Sequence, residues 1–121
     1  YVHHKNIDNQ KLNFILSKTD LFIHSSIYEG FGITVLEAMS LKVPTLAIDI
    51  PPIRELAGDS IFYTQGSTSN SLFKGILKFV RTPRIIIKRK LEEAFLLSKK
   101  FSWEGISKKH YILYQKNLKD L

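Results

Sequence analysis

The sequence contains no cysteine. Disulfides, thiolate metal sites and cysteine nucleophiles are therefore excluded from this segment, and the lack fits a chain kept in a reducing, cytoplasmic setting. Long hydrophobic runs are missing too. Apolar stretches such as Ile85-Ile86-Ile87 are far too short to span a bilayer. The start of the chain lacks the apolar core of a signal peptide. Internal repeats and low-complexity segments are absent. The histidines and carboxylates show no ligand spacing, so no metal site is expected.

Acidic residues are scarce in the second part of the chain. Residues 1–73 carry five basic and seven acidic side chains, whereas residues 74–121 carry thirteen basic and four acidic ones. The whole net charge of +7 thus belongs to the C-terminal segment. Its bland reading is a solvated helical face. Its sharper reading is peripheral attraction to an anionic membrane surface or an acidic partner domain. Nucleic acid is not expected, because no aromatic residues are interleaved with the basic ones in a stacking motif.

What remains is ordinary for a globular domain. The chain has 121 residues, 44% hydrophobic and 24% charged, enough for one core and too few for two. It begins at Tyr1 rather than Met, with a strand-like Tyr1-Val2, and reads as a piece of a longer protein. Asp8-Asn9 caps a first helix carrying Leu12, Ile15 and Leu16 at helical spacing. Residues 20–24 form an apolar run expected of a buried strand. A loop with two glycines follows, then a helix over 33–41 stopped by Pro44. Residues 45–48 read as a second strand, 51–56 as a helix opened by Pro51-Pro52, and 60–63 as a third strand. From residue 67 to 121 the pattern is a helical tail. Leu72, Ile76, Phe79 and Val80 mark one helix, and Thr82-Pro83 separates it from the next. A last helix capped by Ser102 has a stripe of Trp103, Ile106, His110, Leu113 and Leu118. The fold class is therefore α/β: a Rossmann-like parallel sheet with right-handed crossovers and a helical C-terminal tail.

In such sheets ligands bind where strand ends pass into helices. The loop Glu29-Gly30-Phe31-Gly32 holds that position. Gly30 and Gly32 permit positive φ and close backbone approach. The helix after them offers unpaired N–H groups and the positive end of its dipole, a cradle for phosphate. Glu37 lies eight positions beyond Glu29, one turn into that helix. Carboxylates repel phosphate but bind vicinal hydroxyls through two acceptor oxygens. The combination suits a diphosphate flanked by sugar hydroxyls, as in a nucleotide-sugar.

The run Ser26-Ile27-Tyr28-Glu29-Gly30-Phe31-Gly32-Ile33-Thr34-Val35-Leu36-Glu37-Ala38-Met39 resembles the E-x7-E segment of the group 1 (family four) glycosyltransferases. The resemblance continues through Val43-Pro44, through Ile50-Pro51-Pro52-Ile53-Arg54-Glu55-Leu56-Ala57-Gly58-Asp59, and into Phe101-Ser102-Trp103-Glu104. It implies the C-terminal, donor-binding half of a two-domain GT-B enzyme that transfers a hexose with retention to a glycan or lipid-linked acceptor. By position it makes Glu29 the catalytic contact to the donor sugar and Glu37 the holder of the ribose hydroxyls. Gly30, Phe31 and Gly32 face sugar and diphosphate, Thr34 meets a phosphate oxygen, and Leu36 packs beside the nucleoside. No metal or other cofactor is implied. Front-face attack by the acceptor is preferred over a covalent intermediate on Glu29. The N-terminal acceptor domain is missing from these residues, so the chain alone is expected to be inactive. The alternative is a non-catalytic nucleotide-binding or scaffolding module left from such an enzyme.

Two positions depart from the family pattern. Lys42 stands where glycine is usual, and must take a left-handed conformation or use another terminator. Ser25 stands where proline is frequent. Elsewhere structural roles are expected. His3 and His4 point to opposite faces of a strand, Trp103 anchors the last helix, and Arg54 pairs with Glu55. His24 lies near enough to the loop to line the pocket.

Overall fold

A computed structural model describes residues 2–119. The helices are α1 (Asn9–Ser17), α2 (Ile33–Ser40), α3 (Pro51–Ala57), α4 (Ser69–Arg81), α5 (Arg84–Ser98) and α6 (Trp103–Lys119). The strands are β1 (Phe22–His24), β2 (Thr45–Ile48) and β3 (Phe62–Thr64), and a 3₁₀ turn, Lys99–Phe101, joins α5 to α6. The strands form one parallel sheet in the order β1-β2-β3. Each crossover is a helix, as parallel pairing requires.

Local chemistry sets most boundaries. The Asp8 carboxylate accepts from the Lys11 N–H at 2.7 Å and starts α1. Thr68 accepts from the Ser71 N–H at 3.1 Å and starts α4. Ser102 accepts from the Gly105 N–H at 3.1 Å at the start of α6. Pro51 and Pro52 occupy the first turn of α3, where no N–H is needed.

The end of α2 answers the question raised by Lys42. Its φ is 55°, in the left-handed region. Its N–H donates to the Met39 carbonyl at 3.1 Å, and the Val43 N–H donates to the Ala38 carbonyl at 2.9 Å. That pair of bonds is a Schellman closure, normally built on glycine. The Lys42 ammonium then reaches both carboxylate oxygens of Glu92 on α5 at 2.8 Å and lies 4.5 Å from the Phe95 ring centroid.

The sheet separates two layers. Phe22, Ala47 and Tyr63 face α2, α3 and α5, with Val35, Met39, Ile53, Leu56 and Ala94 forming the main core. Leu16 of α1 joins Ala38 and Val43 beside it. The other face carries Leu46, Phe62 and Thr64, covered by α4. Gly75 brings α4 so close that an added Cβ would lie 3.1 Å from both methyl groups of Leu46. Phe62 and Phe79 meet edge to face at 5.3 Å. Beyond α4 this face is less covered among the described residues: Ile23, in the middle of edge strand β1, is 37% exposed. Parallel sheets are ordinarily covered on both faces.

Three expectations change. The third strand begins at Phe62, not residue 60, because the Ser60 N–H and hydroxyl both donate to the Ala57 carbonyl and hold Ser60 in the turn after α3. Val2, His3 and His4 are not in a strand, so the two histidines are not divided between strand faces; Tyr1 lies outside the described residues. The stripe expected on α6 does not pack on the body: His110 and Leu113 are exposed, and only Ile106 is half-buried. The side chains of Trp103 and Leu118 lie outside those described.

Candidate functional site

The glycine loop leaves the carboxyl end of β1 and enters α2, on the side of the sheet where ligands bind in doubly wound folds. The Ser26 hydroxyl donates to the Tyr28 carbonyl at 2.8 Å and tightens the loop before Glu29. Gly32 is the N-cap of α2, with φ 94°, a left-handed conformation that favours glycine. A Cβ there would also press on the terminal methyl of Ile53, which would have to turn aside. Gly30 differs from expectation. It is absent from the positive-φ residues, and open space surrounds its missing Cβ. Its use lies in leaving room rather than in an unusual backbone.

No side chain caps α2, and its first turn contains no acidic residue. The N–H groups of residues 33–35 have no acceptor within the helix, while the Leu36 N–H is bonded to the Gly32 carbonyl at 3.0 Å. A largely apolar cavity of about 520 Å³ runs along one flank of α2, from Phe31 and Ile33 at its start to Ser40 at its end. Phe31, Leu36 and Glu37 line it from the predicted site, with Ser98, Phe101 and Ile106 from the tail. The Phe31 and Phe101 rings meet edge to face at 5.6 Å.

The predicted residues thus fall into two groups. Phe31, Leu36 and Glu37 share the cavity; Glu29 and Thr34 do not line it. Thr34 is exposed on α2, and Glu29 turns toward the end of β1. There His24, 7% exposed, places Nε2 3.3 Å from Glu29 Oε1. That separation is within ion-pair reach, but the groups are not aligned as a hydrogen bond, and Nε2 has no other partner. Phe101 and Ile106 are lining residues whose place at the cavity side-chain patterning did not reveal, although Ile106 belongs to the expected stripe of α6. The resemblance run through Phe101 was the available signal.

Arg54 is paired, but not with Glu55. Its guanidinium takes Asp49 in a bidentate grip at 3.0 and 2.5 Å, reaches Asp59 at 2.9 Å and lies 3.6 Å from the Tyr63 ring centroid. One turn of helix places Arg54 between the residues flanking α3, while adjacent positions diverge. The hydrogen bond from Arg54 lowers the Asp49 pKa. Burial pushes the Tyr63 hydroxyl up to about 12, and that hydroxyl donates to the Gly58 carbonyl at 2.8 Å. This cluster braces α3 at the outer edge of the sheet. Among the described residues no group of three His, Asp or Glu could hold a metal, and no helix is long and apolar enough to cross a membrane.

The sequence matches the family model "Glycosyl transferases group 1" over residues 2–95. The chain belongs to the group 1 glycosyl transferases. It is 28% identical to O-antigen chain mannosyltransferase B of Escherichia coli over 102 residues, covering 82% of this chain and 26% of that protein. It is 30% identical to O-antigen chain mannosyltransferase RfbU of Salmonella typhimurium over 76 residues, 63% of this chain and 22% of that one. This group 1 chain therefore spans about a quarter of the length of these relatives. Among solved structures, sucrose-phosphate synthase from Thermosynechococcus elongatus superposes with a TM-score of 0.75 at 23% identity, over 95% of this chain and 29% of that one. The shared fold is part of the Rossmann-like half of a GT-B architecture, with the helical tail included.

Proposed function

We propose that this chain is the donor-binding part of a retaining glycosyltransferase that moves a hexose from a nucleotide-sugar to a glycan or lipid-linked acceptor. One observation carries the reading: an uncapped helix N-terminus and its left-handed glycine cap stand between two carboxylates, Glu29 and Glu37. Diphosphate suits the N–H groups of α2, and hydroxyls suit the carboxylates. Glu37 takes the ribose, Leu36 and the cavity beside it take the nucleoside, and Glu29 takes hydroxyls of the transferred sugar. Gly30, Phe31 and Gly32 present backbone to sugar and diphosphate, with Thr34 toward a phosphate oxygen. Negative charge developing on the leaving diphosphate is stabilised by the helix dipole, without a metal. The mannosyltransferase relatives make mannose the first sugar to try. An acceptor domain preceding this segment completes the enzyme.

The test uses the full-length protein with GDP and UDP as binding probes and their mannose and glucose conjugates as donors. Glu37→Ala is expected to weaken nucleoside diphosphate binding about ten- to hundred-fold, the loss of a charged hydrogen-bonded pair. Glu29→Gln is expected to depress turnover while leaving nucleoside diphosphate affinity nearly intact. NMR of the product anomer reads retention. Parental affinity and turnover in both variants would falsify the assignment.

A further inference from the structure

We propose that His24 is a positioning residue for Glu29: with its proton on Nε2, it donates to the Glu29 carboxylate and fixes its direction at the donor sugar. The inference rests on the role given above to Glu29. A buried imidazole nitrogen without a partner is costly, and native structures leave few of them. His24 Nε2 is such an atom, and the Glu29 carboxyl oxygen Oε1 stands 3.3 Å from it. The Glu29 side chain is 31% exposed, which leaves it room to turn toward Nε2.

The two residues differ in how firmly they are held. His24 ends β1, and its backbone pairs in register with Ala47 of the fully buried strand β2. Glu29 belongs to an irregular loop beside Gly30, around which the space is open. His24 is the one side-chain partner of Glu29 among the described residues. A flexible carboxylate on a loop acts on a reacting sugar only when a rigid neighbour fixes it, and a misplacement of about 1 Å can cost about a hundredfold in rate.

The experiment compares His24→Leu, His24→Gln and Glu29→Gln in the full-length enzyme, reading release of nucleoside diphosphate from GDP-mannose or UDP-glucose. His24→Leu is expected to lower kcat about ten- to hundred-fold, with GDP and UDP affinity within about twofold of the parent. The glutamine amide nitrogen reaches roughly where Nε2 lies, so His24→Gln should recover most of the loss. In a Glu29→Gln background, His24→Leu should add little, because the two act as a unit. Parental kcat in His24→Leu, equal losses in the leucine and glutamine variants, or additive losses overturn the inference. If His24→Leu fails to fold, His24→Phe supplies the same comparison. Low turnover in Glu29→Gln beside normal turnover in His24→Leu sinks this inference alone. Normal turnover in Glu29→Gln sinks both it and the donor-site reading beneath it.

Discussion

Lys42 holds a left-handed backbone that costs a non-glycine residue about 1 kcal/mol. Its ammonium offsets part of that through Glu92 and the Phe95 ring. Both partners of the ion pair are about half exposed, so screening limits the pair to about 0.5 kcal/mol. The backbone term is the larger. Lys42→Gly is therefore expected to leave stability unchanged or raise it by about 0.5 kcal/mol. Lys42→Ala keeps the strained φ, loses the pair and should cost about 0.5–1 kcal/mol. Urea unfolding of the parent and both variants ranks them, and an alanine variant as stable as the glycine one would contradict the account. The helix end here was legible from sequence, because Pro44 follows and the family pattern wants glycine. The Glu92 partner was not, since it lies 50 residues away on another helix. The same holds for Arg54, whose partners flank α3 instead of standing next to it.

At the scale of elements, α4 lies against the sheet through Gly75. A methyl group there meets Leu46 and Thr64 at 3.1–3.3 Å, a distance at which neighbours must yield slightly. Alanine also gains about 1 kcal/mol of helix propensity over glycine. The two effects nearly cancel, so Gly75→Ala should be close to neutral. Gly75→Leu has no such compensation and is expected to destabilise by about 1–3 kcal/mol through overpacking. Thermal unfolding of the two variants checks the contrast, and equal losses would mean that α4 does not lie this close. The helices and the three sheet strands expected from periodicity and caps are present, because Asp8, Thr68, Ser102 and the paired prolines act locally, whereas residues 2–4 form no strand. What patterning could not supply was which tail residues return to the site. Phe101 and Ile106 reach the cavity beside Glu37 through packing of α5 on α2, a contact with no local signature. Nor could spacing reveal that α6 leaves Tyr111, Ile112, Leu113 and Tyr114 exposed, since amphipathic spacing does not say whether a partner surface exists.

For the molecule as a whole, the sheet is finished on one side and open on the other. The β3 edge is flanked by α4, α5 and the Arg54 cluster, which together bound a cavity of about 420 Å³. Among the described residues edge strand β1 has no strand beyond it, and Ile23 within it is 37% exposed. The Phe22 N–H donates to the Pro44 carbonyl at 2.8 Å, toward β2. Alternation along the ladder therefore turns the N–H and C=O of Ile23 the other way, into open space. This makes a single amide proton a reporter of assembly. In these 121 residues alone, Ile23 should exchange its amide with deuterated solvent at nearly the rate of a loop, while amides of β2 exchange far more slowly. If the proposed donor domain extends beyond these residues, a further strand seated against β1 in the longer protein should slow Ile23 to the pace of its neighbours. Unchanged exchange there would mean that no further strand pairs with this edge.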